Sequence, residues 1–198
     1  MKCITTVESK TWLASIGVGV LGDLDSNTHN LPMEAQVKAD ESRQEIFCCV
    51  PASAGSAEAF SAVILEWFPQ GGERLYLLTH WQTYPDRMVP LFESLRRGFG
   101  GYGSISETPG ALFRDSGNAG VEDQRKPPEL DRVALSGMVF LTLCYTWEGY
   151  LFSTTCRDFI FLGDGFIRFS SVASARIDEA KSLMNMFELE PLTSSPWS

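Results

Sequence analysis

The chain predicts an α+β fold: a mainly antiparallel sheet with about three helices, including a C-terminal three-stranded meander followed by a helix. Three observations carry this expectation. Residues 60–68 repeat apolar side chains at helical spacing, several short segments alternate or run apolar at strand length, and the last third sets glycine turns between apolar runs. Of its 198 residues 44% are hydrophobic and 21% charged, the balance of a chain that builds a packed core. That length supports one substantial core, so residues 1–198 are expected to form a single domain.

Taken in order, "WLASIGVGVLG" reads as a buried element in which Ile16, Val18 and Val20 alternate with Gly17 and Gly19, as in a strand with one bare face. A polar loop follows to about Pro32. Met33, Ala35 and Val37 then alternate against Glu34, Gln36 and Lys38, a half-exposed strand. "EIFCCV" reads as a more buried strand ending at Pro51. The clearest helix begins with Ser56 as its N-cap and carries Phe60, Val63, Ile64, Trp67 and Phe68 on one stripe. "FPQGGE" stops it, and "RLYLLTHW", apolar on both faces, reads as a central strand.

A second helix is expected from near Pro90 to Arg97, since proline suits a first turn. The segment 114–131 has no sustained apolar pattern and reads as a polar loop or linker. Beyond it, "SGMVFLTLCYTW", "GYLFSTTCRDFIFL" and "GFIRFSSV" read as the meander, with turns at Glu148-Gly149 and at Gly163–Gly165. Ser174 caps a last helix whose Ile177, Ala180, Met184 and Phe187 face inward, and "PLTSSPWS" is a frayed tail.

The formal charge of −9 argues against a nucleic-acid partner, whose binding rests on Lys and Arg at phosphates. Cut at residues 50, 100 and 150, the chain carries −3, −1, −3 and −2, so the acidity is dispersed rather than gathered into a tract. Five cysteines and two histidines show no C-x-x-C spacing and no paired zinc ligands. Reduced thiols suit a cytoplasmic protein. The apolar run near the start is too short to span a bilayer, and it follows Glu8 and Lys10 rather than a basic leader, so no membrane association is expected.

Four patterns invite a functional reading. "RRGFGGYGS" spells G-x-G-x-x-G at Gly98, Gly100 and Gly103, but a dinucleotide loop needs a strand before the glycines and a helix after them. Here the helix comes first, and Arg followed by Gly is what a helix C-terminus favours. "DLDSNTHNLPME" places Asp23, Asp25, Asn27 and Glu34 at calcium-loop positions, yet Thr28 stands where that loop needs glycine and Pro32 restricts the rest. His80 ends the central strand, a common place for sites, without a nucleophile motif beside it. The pairs Glu122-Asp123 and Asp178-Glu179 read as solvated charges. No catalytic residue, cofactor or metal ion is therefore expected.

What remains is a protein that binds another protein, a basic one by charge. The sharper expectation is a small acidic inhibitor or bacterial immunity protein that neutralises a toxin. Its contact residues are expected at Arg96, Arg97, Phe99 and Tyr102, types enriched where partners dock. The alternatives are an enzyme centred on His80 and a small-molecule sensor with a pocket between the sheet and its helices.

Overall fold

A computed structural model describes residues 1–21, 34–37, 43–80, 89–98, 100, 110–115, 128–145, 147–163 and 165–193. In chain order the elements are β1 (Lys2–Ile4), α1 (Thr6–Ser15), β2 (Val18–Leu21), β3 (Glu34–Val37), β4 (Gln44–Cys49) and α2 (Ala54–Val63), which runs into a 3-10 turn (Ile64–Trp67). There follow β5 (Gly72–His80), α3 (Val89–Gly98), β6 (Gly110–Asp115), α4 (Pro128–Cys144), β7 (Glu148–Ser153), β8 (Phe159–Gly163), β9 (Phe166–Ser171), α5 (Ser174–Met186) and β10 (Pro191–Leu192). Eight strands form one sheet in the order β1-β6-β5-β7-β8-β9-β4-β10, every neighbour antiparallel, while β2 and β3 pair separately. The fold is α+β, as expected, with five α-helices among the described residues rather than about three. None of them is long and apolar enough to cross a membrane.

The two extra helices have identifiable causes. In α1, Thr5 Oγ1 accepts the Glu8 amide at 3.2 Å while Glu8 Oε2 accepts the Thr5 amide at 2.7 Å, a reciprocal cap that starts a helix where the sequence shows no apolar stripe. In α4, Ala134, Leu135, Met138, Val139, Leu141, Thr142 and Leu143 are all buried. A helix apolar around most of its circumference leaves no polar phase to read, so "SGMVFLTLC", expected as a strand, is helical. The meander is accordingly β7, β8 and β9, with two strands inside the segment expected as one.

Smaller boundaries move as well. Ser53, not Ser56, caps α2 by accepting the Ser56 amide at 3.2 Å. Arg114 and Asp115 belong to β6, and Pro128–Asp131 to α4, so the polar segment is shorter at both ends than 114–131. Glu148-Gly149 is no turn but the start of β7. A Cβ at Gly149 would stand 3.0 Å from the Tyr76 ring, so glycine is there for close packing. The Gly163–Gly165 hairpin does join β8 to β9, with Gly165 at φ +79°.

Alternation along the strands divides the sheet into two faces. Tyr76, Ala111, Phe113, Leu151, Ile160, Leu162, Ile167 and Phe169 meet α4, α5 and the 3-10 turn. On the opposite face Trp12 of α1 donates its indole N–H to Glu73 at 3.2 Å. The same face carries Tyr150, Phe152, Phe159, Phe161 and Phe166, none more than 2% exposed. Tyr150 and Phe161 lie 4.9 Å apart, Phe161 and Phe166 5.3 Å, and the Arg168 and Arg43 guanidinium carbons sit 5.1 Å and 5.2 Å from the Phe159 ring.

Two polar contacts fix the helical layer. Trp67 donates its indole N–H to the Arg176 carbonyl at 2.8 Å, and Arg176 returns a bond to the Trp67 carbonyl at 2.9 Å, tying the 3-10 turn to α5. In the middle of the sheet, Thr142 gives its hydroxyl proton to the Met138 carbonyl, so Tyr76 donates to Thr142 Oγ1. Trp67→Ala is expected to cost about 3–5 kcal/mol, read from urea unfolding, because the ring packs edge-on against Phe68 and Phe169 and leaves a void. Thr142→Val strands the Tyr76 hydroxyl and should cost about 1–3 kcal/mol, and adding Tyr76→Phe should restore part of that loss, since removing both partners is far cheaper than removing one.

Candidate functional site

The glycine-rich segment ends a helix. The helix α3 runs to Gly98, and Gly100 takes φ +80° with its amide donated to the Arg97 carbonyl at 3.1 Å. Of the four expected contact residues, Arg97 is exposed and Arg96 is not. The Arg96 side chain is 2% exposed, its Nε lies 3.4 Å from Glu93 Oε1, and its carbonyl accepts the Cys3 thiol at 3.4 Å. It therefore secures α3 beside β1 rather than facing outward. Phe99 and Tyr102 lie outside the described residues, as do Asp23, Asp25 and Asn27 of the calcium-like loop.

His80 closes β5 opposite Glu148, just past an irregularity in the β5–β7 register at Leu78–His80. Among the described residues no three His, Cys, Asp or Glu side chains group as metal ligands. None of the five cysteines is in a disulfide. Burial, reinforced by the neighbouring Cys49, pushes the Cys48 thiol up to about 12, and burial pushes Cys156 up to about 11. Burial raises Cys144 too. None of these three is a poised nucleophile, because the nucleophile is the thiolate.

Among the described residues, three hollows lie on the helical side. Two depressions follow the seam between α2 and α4 and share Phe140. One, of about 480 Å³, is lined by Glu58, Ala62, Val133 and Gly137. The other, of about 400 Å³, is lined by Ala54, Ala57, Leu143 and Cys144. Small residues on both helices keep this seam open, and Val133 stands 67% exposed beside it. Arg132 lines the first depression and also a third hollow, a cleft of about 520 Å³ where the 3-10 turn meets β5, β6 and the start of α4. That cleft is walled by Leu65, Phe68 and Phe113, with Glu66, Gln70, Arg74 and Arg132 as its polar members.

The sequence reading of a pocket between the sheet and its helices names none of the cleft's residues, and the seam has no counterpart in it. Both depend on α4, which reads as a strand by composition alone. The pairing of Pro127 and Pro128 with Glu129 and Asp131 just before the apolar run was the available signal, since proline and acidic residues favour a first helical turn.

The raised thiols have a consequence for stability. Above pH 9 the unfolded chain releases its thiol protons while the folded protein keeps those of Cys48 and Cys156. The unfolded state then binds fewer protons, so stability should fall from about pH 9 to about pH 12. Chemical denaturation across that window, compared with Cys48→Ala, should show a shallower decline in the variant.

Set against known protein families, curated proteins and solved structures, the chain matches none.

Proposed function

We propose that the protein works by binding another protein, as a small acidic inhibitor of the immunity-protein kind that neutralises its partner by direct contact. The observation that carries this reading is the α2–α4 seam. It is a shallow apolar furrow with an exposed Val133 at its edge and with Ala62, Ser136 and Gly137 short enough for another backbone to approach. Grooves between two helices accept an amphipathic helix whose apolar stripe fills the hollows, here centred on Phe140.

The net charge of −9 supports a basic partner, because dispersed carboxylates steer encounter and choice of partner more than they add affinity. Arg97 at the end of α3, with Phe99 and Tyr102 on the sequence grounds given above, supplies a second part of the proposed contact surface.

The test is cross-linking in the native host, followed by reconstitution of the captured protein with the purified chain. A stoichiometric complex in which the partner loses its activity is the expected result. Val133→Asp and Ala62→Arg, both at exposed positions, should weaken the complex at least about tenfold with an unchanged melting temperature, equivalent to about 1.4 kcal/mol. A partner that keeps its activity when bound would refute inhibition. Full affinity in both variants would move the contact away from the seam.

A further inference from the structure

We propose that the cleft between the 3-10 turn, β5, β6 and α4 binds a small organic monoanion: a carboxylate carried on an apolar, preferably aromatic, body. At about 520 Å³ the cleft has the size of a small-molecule site, and its walls divide by chemistry in the way such sites do.

One side is apolar. Leu65, Phe68 and Phe113 are each no more than 3% exposed, so their positions are fixed by the core behind them. The other side is cationic. Arg74 is 5% exposed, donates to the Pro69 carbonyl at 3.3 Å and lies 5.7 Å over the Phe68 ring. Those contacts hold the guanidinium as a fixed positive charge at the wall, where low surrounding polarity lets it act strongly.

The direct contact falls to Arg132. Its side chain is 45% exposed and pairs with Glu66, itself 60% exposed, at 2.5 Å. An ion pair this open to water adds little to the fold, so a ligand carboxylate can take the place of Glu66 on the same guanidinium. Freed of Glu66, the guanidinium offers a ligand carboxylate the planar fork that suits bidentate pairing. Gln70 at the rim brings an amide donor for a second oxygen.

Charge sets the selectivity. Among the described residues the lining carries two arginines and one glutamate, which sets cationic groups together in a chain of −9. Glu66 remains beside the bound group, and it disfavours a dianion such as a phosphate monoester. A monoanionic carboxylate meets that repulsion at half strength.

The probes are benzoate, acetate and phenyl phosphate, titrated separately against the full chain and followed by amide and arginine side-chain NMR shifts at constant ionic strength. Benzoate should saturate, with acetate and phenyl phosphate each at least about tenfold weaker. Arg74 is too deep for a clean substitution, so Arg132 and Glu66 carry the test. Arg132→Gln should weaken benzoate at least about tenfold, whereas Glu66→Gln, which raises the lining charge and frees Arg132, should tighten it. The proposal fails if benzoate does not saturate, if acetate matches it, or if the two variants leave its affinity unchanged.

Discussion

The strands β5, β7 and β8 bury apolar side chains on both sides, and the rest of the fold answers to that constraint. An antiparallel sheet usually leaves one face to water. Here Leu75 and Leu77 are as buried as Tyr76 and Leu78, and Phe159 and Phe161 as buried as Ile160 and Leu162. Each face therefore demands its own cover. Helices α4 and α5 with the 3-10 turn lie on one side, and α1 over β5 and β6 on the other.

Covering a sheet on both sides leaves few places for polar groups, and those present are tightly specified. Tyr76 points its hydroxyl out of the middle of the sheet, and α4, at Thr142, answers it. Gly149 on the neighbouring strand gives up its side chain so that the Tyr76 ring can approach closely. This arrangement sets the position of α4 along the sheet more sharply than apolar packing could, because an unsatisfied hydroxyl costs more than a slightly loose methyl group.

The candidate surfaces are by-products of that placement. Once α4 is held over the sheet, α2 packs beside it through small residues, and the shallow seam between them stays open. The 3-10 turn is pinned at its far end by the Trp67–Arg176 exchange of hydrogen bonds. The cleft lies between the start of β5 and the start of α4, with Arg74 on one wall and Arg132 on the other. A furrow suited to a partner and a cleft suited to a small anion thus share one residue, Arg132, and one cause.

The sequence by itself determined the antiparallel α+β class, the central position of β5, the helical stripe ending in Trp67, the hairpin at Gly163–Gly165 and the inward face of α5. In each, a local period or an obligatory turn conformation decides the outcome. The helical ending at Gly98–Gly100 was legible for the same reason. Only the tertiary structure decided that "SGMVFLTLC" is helical, that β6 inserts between β1 and β5, and that Arg96 turns inward to Glu93. An apolar run buried on nearly every side carries no period, and a guanidinium joins whichever surface its helix is docked against. The seam and the cleft followed from those decisions, since their residues lie between positions 51 and 145 and meet through the packing of α4.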